Sequence, residues 1–318
     1  MKILANDGLS KAGINKLEKA GFTVITQKVE QANLVEEINK QNIEIILVRS
    51  ATKVRKDIIK GCPGLKLIGR GGVGIDNIDA EVAKAKGIPV VNTPASSSQS
   101  VAELVMGKMF SLARDSYDAD RQMPVKGVTA FEELKKKYAK GSELRGKTLG
   151  IIGFGRIGQS LASYALGCGM RVVCSDVFDV NTTIHLEING ANKISVQVPK
   201  ISMDQLILES DFISIHVPKQ ADGKAVIGTN EIAKMKAGVI LINAARGGVI
   251  DESALIDALN NGKVRAAALD VFENEPIPRE DIIKHNKISS SPHIGAATVE
   301  AQDRIGEELA DIIISKFQ

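Results

Sequence analysis

The stretch Leu149-Gly150-Ile151-Ile152-Gly153-Phe154-Gly155-Arg156-Ile157-Gly158-Gln159-Ser160 reads as a short buried strand, a tight glycine turn and the first turn of a helix. Gly153, Gly155 and Gly158 give the spacing G-x-G-x-x-G. The first glycine permits the sharp turn, the second lets backbone approach a pyrophosphate, and the third lets helix and strand pack closely. The helix N-terminus adds N–H donors and the positive end of the helix dipole. Glycine-rich turns are common, and the triplet alone would equally suit a purely structural turn. Its context decides. A second apolar run, Met170-Arg171-Val172-Val173-Cys174-Ser175-Asp176, follows after a helix-length gap and ends in an acid, where a carboxylate meets a ribose 2′-hydroxyl. The stretch therefore predicts a dinucleotide site. Asp176 would repel a 2′-phosphate, no arginine immediately follows it and Asp179 adds a second negative charge, so the expected cofactor is NAD.

Outward from this motif, short apolar strands alternate with segments of helical periodicity. The unit opened near residue 146 continues through strands at 212–216, 239–243 and 266–269, and a last strand near 288–291 leads into a terminal helix at 298–316. Before the motif, strands are expected at 3–6, 23–26, 43–48, 65–68 and 89–92, with helices at 10–20, 32–39 and 101–113. Near-continuous apolar strands joined by helices mean parallel sheets covered on both faces. The fold class is α/β, with two Rossmann-like domains. Residues 99–288 would form the dinucleotide-binding domain, inserted into a second domain made of 1–98 and 289–318. The small, polar run at 93–100 reads as a linker or hinge, and the lysine-rich 121–140 region as a solvated helix plus loop or a substrate-facing element.

Composition narrows the function classes. A chain of 318 residues has material for two cores, and its 44% hydrophobic and 25% charged content is ordinary for a soluble protein. A net charge of +3, with 3% aromatics and no tryptophan, argues against nucleic acid and anionic membrane as partners. Cys62, Cys168 and Cys174 make an odd count without C-x-x-C spacing, which suits a reducing compartment and neither a disulfide framework nor a zinc site. No secretory pattern or transmembrane-length apolar run is present, so a cytoplasmic location is expected and no metal is called for.

Ligands of open α/β sheets sit at the carboxyl ends of the strands. The strand at 239–243 delivers Ala244-Ala245-Arg246-Gly247-Gly248 there, and Arg246 offers a planar fork for a carboxylate or carbonyl oxygen, though a surface charge would look the same in sequence. The next strand delivers Asp270-Val271-Phe272-Glu273-Asn274-Glu275. His293, in Ser291-Pro292-His293-Ile294-Gly295-Ala296, follows a strand and precedes a helix start. A histidine is suited to moving a proton between carbonyl and hydroxyl, and a carboxylate on its second nitrogen would fix its tautomer; Glu275 is the candidate. A packed or helix-capping histidine is the competing reading.

The segments 48–54 and 69–79, Asn92-Thr93-Pro94, the glycine turn, Ala245-Arg246-Gly247-Gly248, 268–273 and Pro292-His293-Ile294-Gly295-Ala296 together resemble the NAD-dependent D-2-hydroxyacid dehydrogenases, in the family's order and over nearly the whole chain. The first two segments lean toward the phosphoglycerate dehydrogenase branch. The resemblance implies that Arg246 holds the substrate carboxylate and its 2-oxygen, that His293 exchanges the proton and that Glu275 is paired with it. It further implies that Arg156 and Ile157 contact the pyrophosphate beside Gly153, Gly155 and Gly158. Asp176 would hold the adenosine ribose, and Ala244, Asp270 and Gly295 would lie near the nicotinamide. Val217, Ala245 and Ala296 complete that cofactor set. Arg49, Ser50, Arg70, Gly72 and Val73 match positions that hold substrate, and the long helix after residue 100 matches the family's dimerisation element, so a homodimer is expected.

The activity thus implied is oxidation of 3-phosphoglycerate to 3-phosphohydroxypyruvate, the entry into serine biosynthesis. Alternatives are reduction or oxidation of another 2-hydroxy acid, such as glyoxylate, hydroxypyruvate or lactate, and, more distantly, a dinucleotide-sensing corepressor. Val73 and Ala244 stand where some members have threonine and cysteine. The family's Trp-and-Arg element before the cofactor domain is replaced by Lys135, Lys136 and Lys137, and feedback by serine through a regulatory domain is not expected.

Overall fold

The computed structural model describes residues 1–186, 190 and 192–318. The chain divides into two compact units, Met1–Ser100 with Ala296–Gln318, and Val101–Gly295. The second boundary lies seven residues later than the 288/289 expected from sequence, because the strand at Ile288–Ser290 hydrogen-bonds into the larger sheet.

In the first unit, parallel strands β1 (Lys2–Ala5), β2 (Thr23–Ile25), β3 (Ile45–Val48), β4 (Leu67–Arg70) and β5 (Val90–Asn92) take the order β2-β1-β3-β4-β5. Helices α1 (Lys11–Lys19), α2 (Leu34–Gln41), α3 (Lys56–Gly61) and α4 (Ala80–Ala85) link them. Side chains alternate across a strand. Ile46 and Val48 therefore join a core with Leu4, Leu34, Ile58 and Ile68, while Ile45 and Leu47 join Ile3, Ala5, Leu17 and Leu67 on the other face. That second core is completed by Ala310 and Ile313 of the terminal helix, Val299–Phe317. The terminal helix meets α1 where Gly13 faces Gly306; a Cβ on Gly13 would come 2.7 Å from the Gly306 backbone.

The run at 93–100, expected as a linker or hinge, ends at the boundary between the two units and is packed. Thr93, Ser96, Ser97, Ser98 and Ser100 are buried, and the Thr93 hydroxyl accepts the Gly72 amide at 2.7 Å. The Thr93 hydroxyl is small enough for a tight interior and still satisfies a backbone donor.

Helix α5 (Ser98–Ala113) leads to α6 (Ser116–Lys126) and α7 (Phe131–Lys137). Of the α6 and α7 residues only Leu134 is buried, and Lys137 Nζ donates to Asp118 Oδ2 at 2.6 Å. Both helices are largely exposed.

The larger sheet comprises β6 (Thr148–Ile152), β7 (Arg171–Ser175), β10 (Phe212–Ile215), β11 (Val239–Asn243), β12 (Val264–Leu269) and β13 (Ile288–Ser290), all parallel, in the order β13-β12-β11-β10-β6-β7. Helices α8 (Arg156–Gly167), α9 (Met203–Glu209), α10 (Thr229–Lys234), α11 (Glu252–Asn260) and α12 (Glu280–Ile283) connect it. Leu149, Ile151, Ile240 and Ile242 face α5 and α8, whereas Ile213, Ile215 and Leu241 face α9 to α11. An antiparallel hairpin, β8 (Thr183–Leu186) and β9 (Ile194–Gln197), interrupts the alternation and was not expected. Among the described residues, no helix is long and apolar enough to cross a membrane.

From β6 the chain moves to β7 on one side and later returns to β10 on the other. This places a switch point at the carboxyl end of β6, where doubly wound sheets bind ligands.

Candidate functional site

At that switch point the three glycines have three different surroundings. Gly153 has φ +89°, and a Cβ there would lie 2.6 Å from the His216 carbonyl. Gly158 packs α8 onto its strand, since a Cβ would lie 2.5 Å from the Gly153 carbonyl. Gly155 is neither strained nor crowded; a Cβ would meet no protein atom within 4 Å. Protein packing does not require glycine at 155, but close approach by a ligand does. Gly155 caps α8 without a side-chain hydrogen bond, so the first-turn amides of Arg156, Ile157 and Gly158 point out of the helix with no capping partner. Those amides and the helix dipole fit a pyrophosphate. Asp176, just past β7, accepts the Phe154 amide through Oδ2 at 2.7 Å and the Phe178 amide through Oδ1 at 2.9 Å. Its carboxylate is thereby fixed beside the glycine turn, with lone pairs left for a ribose hydroxyl.

Val217 follows β10, and its methyl lies against Gly153. His216 donates its amide to the Ile152 carbonyl at 2.7 Å, and its Nε2 pairs with the Ser214 hydroxyl at 2.9 Å. Burial pushes its pKa down to about 4, so this histidine stays neutral and structural.

At the end of β11, Ala244, Ala245 and Arg246 form a loop shaped by Asn243, whose side chain accepts the Ala245 amide at 3.0 Å and donates to the Arg246 carbonyl at 2.9 Å. Arg246 Nη1 donates to the Ala245 carbonyl at 2.7 Å, which steadies the guanidinium.

The 2.8 Å bond between His293 Nδ1 and Glu275 Oε2 joins the other two candidates. Glu275 Oε1 also accepts the Phe272 amide at 3.0 Å. Burial pushes the Glu275 carboxyl up, but the His293 bond and charge, the Phe272 amide and the Arg246 charge outweigh it and hold it below its ordinary value. An ionised Glu275 fixes the proton on Nδ1 and leaves Nε2 as the exchanging nitrogen. His293 has φ +54°, a left-handed conformation costing about 1–2 kcal/mol. The loop is held there by buried Asp270. Its Oδ1 accepts Ser291 Oγ at 2.7 Å and the Ile294 amide at 3.0 Å, and its Oδ2 accepts the Gly295 amide at 2.8 Å.

Arg49, Ser50, Arg70, Gly72 and Val73 lie in the first unit, at the carboxyl ends of β3 and β4, and Ala296 also belongs to that unit. Gly72 has φ +136°, and a Cβ would come 1.9 Å from Arg70 Nη1, so glycine makes room for the guanidinium. Asp7 accepts the Arg49 amide at 2.7 Å and the Thr52 hydroxyl at 2.7 Å, and Asn77 donates to the Arg49 carbonyl at 2.7 Å.

Sequence reasoning overlooked Asp7, Asn77 and Asn243 as organisers. For Asp7 and Asn243 the signal was a polar residue at or near the end of an apolar run; Asn77, in the glycine-rich segment after β4, had none. Among the described residues, no group of acids, histidines and cysteines could hold a metal ion.

Residues 106–295 match the D-isomer specific 2-hydroxyacid dehydrogenase, NAD binding domain, family. The chain is 42% identical over 322 residues to a hydroxypyruvate reductase of Thermotoga maritima, covering 99% of this chain and 98% of the relative. It is also 42% identical over 313 residues to a D-3-phosphoglycerate dehydrogenase of Methanocaldococcus jannaschii, covering 98% of this chain but only 57% of that protein. A crystal structure of D-lactate dehydrogenase from Aquifex aeolicus, complexed with NAD and lactic acid, is similar at a TM-score of 0.76 and 28% identity, covering 98% of this chain and 94% of that one. With a glycine turn that fits a pyrophosphate, a fixed carboxylate beside it and this match from end to end, the chain belongs to the D-isomer-specific 2-hydroxyacid dehydrogenases, NAD-dependent oxidoreductases acting on the CH–OH group of 2-hydroxy acids.

Proposed function

We propose that the protein interconverts 3-phosphoglycerate and 3-phosphohydroxypyruvate, placing it at the entry to serine biosynthesis. The observation that carries this choice is the pair Arg49 and Arg70, which stand at neighbouring strand ends in the first unit. With Arg246 assigned to the carboxylate, two further guanidinium groups suit a phosphate dianion better than a neutral hydroxymethyl group.

Bound NAD supplies the hydride acceptor. Arg246 orients the carboxylate and the 2-oxygen by paired charge-assisted bonds. His293 Nε2 takes the proton of the 2-hydroxyl, and Glu275 stabilises the imidazolium that results. Glu275 holds the ring and Asp270 the loop that carries it, so orientation is set before reaction; such positioning is worth roughly 7–11 kcal/mol of barrier. In the oxidative direction His293 must begin neutral, and in the reductive direction protonated. Oxidation therefore falls as pH falls, and reduction falls as pH rises.

A second reading, reduction of hydroxypyruvate, is favoured by the Thermotoga relative, which this chain spans from end to end. Steady-state comparison of 3-phosphohydroxypyruvate with hydroxypyruvate, glyoxylate and pyruvate separates the two. The phosphorylated substrate is expected to have the highest kcat/KM, and preference for an unphosphorylated acid would establish the second reading instead.

Asp176 also implies discrimination between cofactors. The ratio of kcat/KM for NAD over NADP is expected to exceed ~10², the scale of a like-charge contact costing several kcal/mol. Parity would remove Asp176 from the ribose site. The same family resemblance supports a homodimer through α5, where Phe110 is exposed, as are Met123, Val125, Val128 and Phe131 nearby in sequence. Sedimentation at micromolar concentration measures it.

A further inference from the structure

Arg246 and Glu275 are carried by different loops, and one buried carboxyl ties those loops together. Glu252, the first residue of α11, is only 4% exposed. Its amide donates to Glu273 Oε1 at 3.1 Å, and its Oε1 accepts the Glu273 amide at 2.9 Å. Between this clamp and Arg246, the loop backbones touch. A Cβ on Gly247 would come 1.8 Å from the Phe272 carbonyl oxygen, so the loops have almost no slack there.

The other oxygen of the clamp is unusual. Glu252 Oε2 is buried and makes no hydrogen bond. Ionised, the carboxylate would carry part of its charge on a buried oxygen with no donor, which costs more than burying the neutral carboxyl. The surrounding charges do not rescue it. Glu273 faces it from the Glu275 loop, and Asp281 from α12. The Arg279 charge favours ionisation, but its Nε and Nη2 donate to Asp281 at 3.1 and 2.7 Å and its Nη1 to Ser253 Oγ at 2.8 Å. Asp251 turns back onto the Ser253 and Ala254 amides, and Lys219, after β10, lies alongside Gly248 near Glu273. Burial, then the Glu273 charge, push the Glu252 carboxyl up, and the Glu273 amide and Arg279 offset this only in part.

We propose that Glu252 is a positioning residue whose neutral carboxyl locks the Arg246 and Glu275 loops together, and that its ionisation loosens them. The proposal rests on the reading of Arg246, Glu275 and His293 given above.

The test uses the intact chain carrying Glu252→Gln or Glu252→Ala. Glutamine keeps the acceptor for the Glu273 amide and cannot ionise, whereas alanine has neither property. Glu252→Gln is expected to keep kcat within about twofold, while Glu252→Ala loses kcat by up to ~10²-fold at unchanged KM for NADH, the effect of misplacing catalytic groups by about 1 Å. A second readout needs no turnover. A carboxyl whose native pKa is raised above its ordinary 4.5 contributes stability that is fully present below that value and is lost as pH rises through the native one. The melting temperature of Glu252→Gln minus that of wild type should therefore grow as pH rises from 4.5 and then level off. A difference that stays flat with pH overturns the proposal, as does equal loss of kcat in both variants or wild-type kcat in Glu252→Ala. His293→Ala, measured in parallel, separates the two layers: if it stays active, the reading of the site has failed, whatever Glu252 does.

Discussion

Replacing His293 with alanine lowers turnover by about 10²–10⁴-fold in both directions while NADH binding stays within about twofold, because the lost group moves a proton and does not hold the cofactor. NADH fluorescence titration and single-turnover rates give the two quantities separately. The variant removes one of two bonds to Glu275 and leaves the Phe272 amide on the other oxygen, so the loop keeps part of its support. The pH profile is the sharper readout. In wild type, reduction declines as pH rises because the proton donor is lost; in the variant that limb should flatten. A variant with near-normal turnover would leave His293 as a helix-proximal structural residue and end the acid–base assignment.

Arg246→Ala should lower kcat/KM for the 2-oxo acid by ~10²–10³-fold, equivalent to about 3–4 kcal/mol of lost charge-assisted bonding. Arg246→Lys should recover only part of it, since an ammonium supplies charge but not two parallel, coplanar donors. The loss should appear in the KM of the oxo acid and not in that of NADH; a shared rise would make Arg246 a cofactor-loop residue. The substitution has a second consequence. Arg246 is one of the charges that hold the Glu275 carboxyl below its ordinary value. A depressed carboxyl contributes stability above its unfolded pKa and loses it as pH falls through the native one. Removing Arg246 moves that loss, and the acid limb of activity, to higher pH.

Much of this was legible in the sequence for identifiable reasons. The buried strands declared themselves through unbroken apolar runs: β11 lies at Val239–Asn243, as expected, and β3 is buried at every position. The Glu275–His293 pair, 18 residues apart in the chain, is joined as the residue types suggested. What sequence could not show was long-range use of polar side chains. Nothing local reveals that the Thr93 hydroxyl meets the Gly72 amide. Asp270 looked like one of several loop acids, yet it shapes the entire His293 loop. The hairpin β8–β9 was hidden because its alternation is weak and mostly exposed, with Ile184 its one buried apolar side chain. The boundary near 288 was misplaced because a three-residue strand reads alike whichever sheet it joins.

The facing glycines Gly13 and Gly306 bear on the order in which the protein is made. Residues 1–100 emerge from the ribosome first, yet the core beneath Ile45 and Leu47 lacks Ala310 and Ile313 until the terminal helix has been synthesised. The continuous segment Val101–Gly295 has its whole sheet available earlier. Domains fold as units, ordinarily from the N-terminus onward during synthesis. Here the inserted segment can complete its fold while the earlier-made strands still expose one apolar face, and that face is covered only when the helix Val299–Phe317 docks.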